Sequence, residues 1–387
     1  MQNRLVFHGK AGEFFGIWIV NLVLSIITLG IYSAWAKVRT KKYFYGNTEL
    51  AGDRFDYHAT PVQILIGRII AVVLLAAWVI SQSLLPQVAL IAALIFMLLL
   101  PVLARNNARF DSSMTSYRNV RFSFAGDLLG AYIAFVGRPL LLVAVVAGAT
   151  FLAFGVSGAV GMVVSVLAFL IAAIVGYGWV IRGIMSYFAN GYRYGEKAFS
   201  ATLSTGFFVK TYLQAWLIGL AIGIALMVVG ALFFSGLALT LISVASSGDP
   251  SSIFNSDLAS GSTFALVIGL YLFALVCGIV VTSFVAVRTR NYVFGQMLTE
   301  GEDKYQLRSE ITLGAFVWLT VSNFLAQLVT LGLARPWVLV RTSRYLASVT
   351  AVEGDMSLLR TADSGDQATS SIGDEVSQAF NLEVGLN

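Results

Sequence analysis

Most of the chain consists of long apolar stretches that contain no basic residue. No Lys or Arg lies between Arg68 and Arg105, between Arg138 and Arg182, or between Lys210 and Arg288. A helix that crosses the hydrocarbon core needs about 20 apolar residues, so each stretch can hold two spans and a turn. The pattern predicts three helical hairpins, with spans at about 62–82 and 87–104, 128–153 and 158–186, and 207–235 and 263–287.

Basic residues are confined to one side of these hairpins. The three predicted tips, at 81–87, 155–161 and 246–263, contain no Lys or Arg. Cytoplasmic loops of membrane proteins carry an excess of Lys and Arg. We therefore expect the tips to face the periplasm, and the linkers between hairpins and both termini to lie in the cytoplasm.

Two further apolar helices, predicted at 14–29 and 314–331, are shorter. A helix of this length rises only about 24–27 Å, which is marginal for a full crossing. Because both ends of each are basic, we expect re-entrant or steeply tilted helices that are broken at Gly30 and Gly332. The alternative is eight full spans with both termini outside, in which the chain ends form an inverted-topology repeat.

The two ends of the chain repeat each other at a constant offset of 302 residues. The ungapped identities include an asparagine, a Thr-Leu-Gly element, a tryptophan and a Val-Arg-Thr element: Asn21 and Asn323, Thr28 and Thr330, Trp35 and Trp337, Arg39 and Arg341. A third Val-Arg-Thr element contains Arg288. So many matches at polar and aromatic positions predict pseudo-symmetric repeats.

Between the spans, short stretches alternate in period two around turn residues. The clearest are FYGNTELAGDRFDYHA at 44–59 and TSYRNVRFSFAG at 115–126. Alternation of this kind, bounded by Gly, Asn and Asp, is typical of a β-hairpin. We expect four short cytoplasmic β-hairpins that link span to span, and a lone strand of the same kind in NRLVFHG at 3–9.

Composition fixes the class of protein. Hydrophobic residues make up 58% of the 387 residues and charged residues 12%, whereas a soluble domain carries about 25% charged residues. This excludes a soluble enzyme, a disordered chain and a nucleic-acid binder that works in solution. We predict an all-α polytopic membrane protein with six transmembrane helices, forming a single membrane domain of internal repeats at 1–356. A disordered acidic tail is expected at 357–387.

Several motifs carry a resemblance to a known family. They are FHGKAGEFF at 7–15, TLGIYSAW at 28–35, TSYRNVRFSFAG at 115–126 and TLGLARPW at 330–337. In combination they resemble the YjgN-like family of uncharacterised bacterial membrane proteins. The resemblance implies a multi-pass protein of a bacterial inner membrane with no settled activity, and it transfers no catalytic residues.

The residues that most catalytic or metal sites require are scarce. The chain has one cysteine, Cys277, and two histidines, His8 and His58, so we expect no metal and no cofactor. No Asp or Glu lies inside a predicted span, which argues against a carboxylate-driven pump. The chain lacks nucleotide-binding, zinc-protease and serine-hydrolase signatures. We therefore expect that it is not an enzyme, although a membrane enzyme with an unrecognised site is a third hypothesis.

The first functional hypothesis is a passive channel or transporter for a small solute or ion. Two symmetric asparagines next to two broken helices could line a pore or a polar substrate site, at Asn21, Thr28, Asn323 and Thr330. The alternative is that each Asn only bonds a neighbouring helix, which contributes about 0.6 kcal/mol on average.

The second hypothesis is a non-catalytic membrane scaffold or lipid-binding protein. Its cytoplasmic hairpins would bind anionic headgroups through Arg39, Arg118, Arg121, Arg288 and Arg341. Alternatively, each repeated arginine fixes its own hairpin to a helix, through an acid such as Asp53 or Asp355. The partners expected are membrane lipids and a small solute or ion, without nucleic acid, and the sequence leaves a homo-oligomer open.

Overall fold

The computed structural model describes residues 1–84, 86–154, 158–247, 261–301 and 303–359. The three predicted tips lie partly outside the described residues, and so does the predicted tail from residue 360 onward. Within the described residues, the helices are α1 Ala11–Ile27, α2 Ser33–Gly46, α3 Pro61–Leu84, α4 Pro86–Ser113, α5 Leu128–Tyr132, a π-helix at Ile133–Gly137, α6 Arg138–Phe154, α7 Gly158–Ala189, α8 Thr205–Ser247, α9 Gly261–Gln296, α10 Leu313–Val329 and α11 Arg335–Ser348.

Six of the helices are long and apolar enough to cross a membrane. They correspond to the six predicted spans and contain Pro61–Ile80, Ile91–Ser113, Leu128–Leu152, Val160–Ala189, Thr205–Ala231 and Val267–Gln296. The predicted spans are therefore confirmed at the level of helix length and composition. α1 and α10 are apolar but have only 17 residues each, so their depth in the membrane stays a prediction.

The two Thr-Leu-Gly elements, which follow α1 and α10, have the same local geometry. Thr28 Oγ1 donates to Leu24 O at 2.7 Å and accepts from Tyr32 N at 2.9 Å. Thr330 Oγ1 donates to Ala326 O at 2.7 Å and accepts from Ala334 N at 3.0 Å. The next Leu and Gly have positive φ in both elements. Each threonine thus satisfies backbone groups that the chain reversal leaves free.

Ten short strands close into one antiparallel barrel in the order β1-β10-β9-β8-β7-β6-β5-β4-β3-β2. The strands are β1 Gln2–Phe7, β2 Thr48–Leu50, β3 Asp53–Tyr57, β4 Thr115–Tyr117, β5 Val120–Phe124, β6 Tyr192–Tyr194, β7 Lys197–Ala201, β8 Met297–Thr299, β9 Gln306–Ser309 and β10 Thr350–Glu353. Four adjacent pairs are local hairpins. The fifth pair joins the two ends of the chain, with Gln2 opposite Glu353. The predicted all-α class is therefore too narrow, because these hairpins pair with one another across long sequence separations.

Side chains alternate between the two faces of the barrel wall. Leu50, Tyr117, Tyr194 and Tyr305 point inward and form one buried apolar cluster. Charged side chains point outward and are exposed: Arg4, Arg54, Asp56, Arg193 and Arg308. A barrel that sits in lipid carries an apolar outer band instead. The charged outer face therefore belongs in water.

The described residues divide into two compact units. The first comprises Met1–Val209, Thr289–Ile311 and the residues from Ala326 onward, and it contains all ten strands. The second comprises Lys210–Arg288 and Thr312–Leu325, which are segments of α8, α9 and α10. The single domain expected over residues 1–356 stays a prediction.

Candidate ligand cavity

The barrel contains a partly open cavity of about 350 Å³, whose lining residues all belong to the first unit. Every one of the ten strands contributes at least one lining residue, and most of these are aromatic or aliphatic. Ligand sites in proteins are concave, mostly apolar and about 300–1,000 Å³ in volume. The cavity therefore has the size and chemistry of a site for one small apolar molecule.

Aromatic rings form much of the wall. The ring centroids of Phe55 and Tyr117 are 5.0 Å apart, and those of Phe122 and Tyr194 are 4.9 Å apart. Phe55 also packs on Phe122 at 6.4 Å. Such pairs add about 0.5–1.5 kcal/mol each beyond area burial, so they stabilise the wall of the cavity.

The phenol hydroxyls of this wall are bonded to the backbone. Tyr117 donates to Leu50 O at 2.7 Å, Tyr194 to Tyr117 O at 2.9 Å, and Tyr305 to Asp355 O at 2.9 Å. Burial raises the pKa of Tyr194 to about 12 and also raises the pKa values of Tyr117 and Tyr305. These phenols remain neutral donors, and the cavity presents ring carbon more than hydroxyl oxygen.

The end of the barrel at the β-turns is closed by the segment Asp355–Leu359. Met356 is buried in the apolar cluster, and Leu359 packs against it. Arg118, in the turn between β4 and β5, donates from Nε to Asp53 at 2.5 Å and from Nη1 to Met356 O at 2.6 Å. One guanidinium therefore joins two hairpin turns to the C-terminal segment.

The opposite end of the barrel, where the helices enter, is more polar. Asp111 and Ser112 of α4, together with Thr350, line the cavity there. Asp111 forms an ion pair with Lys41 of α2 at 2.5 Å. Among the described residues, no group of three or more His, Cys, Asp or Glu could hold a metal ion.

The four predicted pore residues are not among those that line the cavity. Asn21 is buried and donates to Ala36 O of α2 at 3.5 Å, while Asn323 is buried in α10. Thr28 and Thr330 use their hydroxyls in the chain reversals described above. Asn21 and Thr28 therefore bond backbone carbonyls of α1 and α2. The role of the four residues in a pore stays a prediction.

The predicted arginines are in different environments. Arg118 holds the turns together, and Arg121 lies opposite Ser116 on β4. Arg39 is exposed, and it makes no hydrogen bond or ion pair with any residue that the structure describes. Arg341 lies over the ring of Trp337 at 5.0 Å, and within the second unit Arg288 donates to Gln214. Binding of anionic headgroups by these arginines stays a prediction.

The family of "Bacterial protein of unknown function (DUF898)" matches residues 2–379 of the chain. The chain belongs to this family. The resemblance noted in the sequence is confirmed, since the chain is 29% identical over 372 residues to "Inner membrane protein YjgN" of Salmonella typhimurium, covering 92% of this chain and 90% of the relative. It is 26% identical to the protein of the same name from Escherichia coli K12, covering 92% and 89%. No solved structure matches the chain.

The sequence of this DUF898 chain contains a signal for the barrel strands. Aromatic residues occupy alternate positions in successive hairpins, at Phe55 and Tyr57, Phe122 and Phe124, and Tyr192 and Tyr194. Inward-facing residues of a small barrel follow this pattern. The alternation by itself predicts only local hairpins, because nothing in it shows that the hairpins pair with one another.

Proposed function

We propose that this membrane protein binds a small apolar or amphipathic molecule inside the barrel. The proposal favours the lipid-binding hypothesis over the passive channel. The observation that carries it is the apolar cavity of about 350 Å³, which is lined from all ten strands. Because its tyrosine hydroxyls are already bonded to the backbone, burial of apolar surface would provide most of the binding free energy.

The presence of the barrel and of apolar helices in one compact unit supports a lipid-derived ligand. The cavity lies in the same unit as α3 to α7, which include four of the six candidate spans. Its polar end is the end at which the helices enter, at Asp111 and Ser112. An amphipathic molecule that leaves the inner leaflet would reach this end first. We propose that the barrel faces the cytoplasm, as the distribution of Lys and Arg predicts.

We also propose that the hairpins are copies of one repeated unit. Recurrent contacts support this: Tyr43 Oη accepts from Lys10 N at 2.8 Å, and Tyr292 Oη accepts from Ser204 N at 2.8 Å. In two other copies, an arginine Nε donates to the carbonyl 21 residues later, from Arg105 to Gly126 and from Arg182 to Leu203. Five copies of this unit, arranged around the axis of the barrel, would each contribute an equivalent part of the cavity wall.

Mass spectrometry of bound apolar molecules tests the proposal. Full-length protein is purified in a mild detergent, extracted with organic solvent, and compared with Ser112→Phe and Ser348→Phe. Ser112 lines the cavity near the end of α4, and its hydroxyl bonds the carbonyl of Ala108 in its own helix. Ser348 is an exposed serine that bonds its own helix in the same way. A phenyl ring at 112 would fill part of the cavity.

The parent and Ser348→Phe should each retain close to one apolar molecule per chain, and Ser112→Phe should lose most of it while still melting cooperatively. Equal retention by all three proteins would contradict the proposal. So would a parent protein that carries no apolar molecule beyond the detergent background.

A further inference from the structure

A partly buried arginine lies next to the helix end of the cavity, where the sequence predicts no site. Arg290 is in the last two turns of α9, and its Nη2 donates to Thr350 Oγ1 at 3.2 Å. Its guanidinium lies over the ring of Phe294, 4.6 Å from the centroid. Thr350 and Phe294 both line the cavity. Arg290 is not itself one of the lining residues, but its guanidinium contacts two groups of the cavity wall.

The charge of Arg290 is not neutralised by the described part of the chain. Its Nε is buried without a hydrogen-bond partner. Asp111, the acidic residue that lines the cavity, is paired with Lys41. An isolated buried cation is costly and normally pairs with an anion. An anion bound from outside the chain would remove that cost.

We infer that Arg290 binds the anionic head of a single-chain amphipathic molecule whose apolar body fills the barrel. The inference deepens the proposed function and rests on it. A guanidinium presents parallel N–H donors that match a carboxylate or a phosphate, and cation–π contact with Phe294 leaves those edge donors available. Arg118, at the other end of the cavity, already has its donors on Asp53 and Met356. The head therefore lies at the helix end and the chain points toward Met356.

The second reason for this orientation is the polarity of the cavity. Thr350 and Asp111 lie at the end near Arg290, whereas Tyr194, Leu50 and Met356 form the apolar cluster further in. A single acyl chain suits a cavity of about 350 Å³ better than a two-chain phospholipid does. The ligand class is thus a fatty-acid carboxylate or a lysophospholipid phosphate.

Binding of chain-matched probes tests the inference. Delipidated full-length protein in neutral detergent is titrated with palmitate, with palmitoyl lysophosphatidate and with 1-hexadecanol. The proteins compared are the parent, Arg290→Gln, Arg290→Lys and the control Arg193→Gln, which alters an exposed arginine on the outer wall. We expect the parent and the control to bind at least one anion about tenfold or more tighter than the alcohol, as a charge-assisted pair predicts.

Arg290→Gln should bind acid and alcohol alike, with the affinity of the parent for the alcohol, and Arg290→Lys should keep part of the preference. A preference for palmitate alone identifies a carboxylate ligand, and one for lysophosphatidate alone identifies a phosphate. The inference is overturned if the parent binds alcohol and acid equally, a result that needs no variant to fold and leaves the proposed function intact. It is also overturned if Arg290→Gln weakens binding of the anionic probe and of 1-hexadecanol by the same factor. A parent that binds none of the three probes overturns the proposed function as well.

Discussion

Gly354→Ala is expected to destabilise the barrel by roughly 2–6 kcal/mol, from backbone strain and overpacking of about 1–3 kcal/mol each. Gly354 follows β10 with φ of 145°, and its N–H bonds Met1 O at 3.0 Å where the two ends of the chain meet. A Cβ atom there would lie 2.4 Å from Cδ1 of Tyr305, whose ring is buried. The thermal midpoint in detergent measures the effect.

Gly295→Ala is the matched control for this prediction. Gly295 lies in α9, and nothing lies within 4 Å of the Cβ that it would gain. Because Gly295 is in the last turn of this helix, alanine is favoured over glycine by at most about 0.5–1 kcal/mol, the value for a helix interior. The control should therefore melt at the parental temperature or slightly above it. If Gly354→Ala also melts at the parental temperature, the two chain ends are not packed against each other as described.

Arg118→Lys is expected to lower the thermal midpoint although it keeps the charge. Arg118 bonds Asp53 and the carbonyl of Met356 at once through different nitrogens. A lysine ammonium cannot reproduce that fork, and hydrogen bonds to charged groups contribute about 1.5–3 kcal/mol. The segment Asp355–Leu359 should also become more accessible to protease.

Arg39→Lys serves as the comparison and should leave the midpoint unchanged. The sequence repeat suggested that Arg39 fixes its hairpin through Asp53, but the structure gives that carboxylate to Arg118. Arg39 is exposed on α2, where a change from arginine to lysine has little effect on stability. A loss in Arg39→Lys that equals the loss in Arg118→Lys would reinstate the sequence hypothesis.

The spans were predictable because their signal is local. An apolar helix must be long enough to cross the hydrocarbon and must exclude charge, and the intervals from Arg68 to Arg105 and from Arg138 to Arg182 show both properties. The reversals at Gly30 and Gly332 were likewise visible as repeated Thr-Leu-Gly. The sequence does not reveal what the threonines do. In the structure, the hydroxyl of Thr28 bonds a carbonyl four residues earlier in the chain.

The barrel could not be predicted from the same information. A hairpin such as Asp53–Tyr57 with Thr48–Leu50 has a local turn signal, but its pairing with Thr115–Tyr117 depends on residues some 60 positions away. Pairing of Gln2 with Glu353 spans almost the whole chain. The ligand cavity exists only once all ten strands have closed. For that reason the sequence pattern does not single out Arg290.

Closure of the barrel by the two chain ends is the central claim, and a disulfide between them tests it most directly. The protein carries Gln2→Cys and Glu353→Cys in a Cys277→Ser background, with a protease site inserted after Pro250. Paired antiparallel residues have Cα atoms about 4.5–5.5 Å apart, which a disulfide can bridge. Gln2→Cys with Leu298→Cys is the control, because Leu298 is also on the C-terminal fragment but lies on β8, three strands from β1.

After mild oxidation and cleavage, the two fragments of the Gln2–Glu353 variant should migrate as one species of monomer mass until they are reduced. The fragments of the control should separate under both conditions. If the Gln2–Glu353 fragments also separate without reductant, the two chain ends are not paired. The closed cavity, and the function proposed for it, would then be wrong.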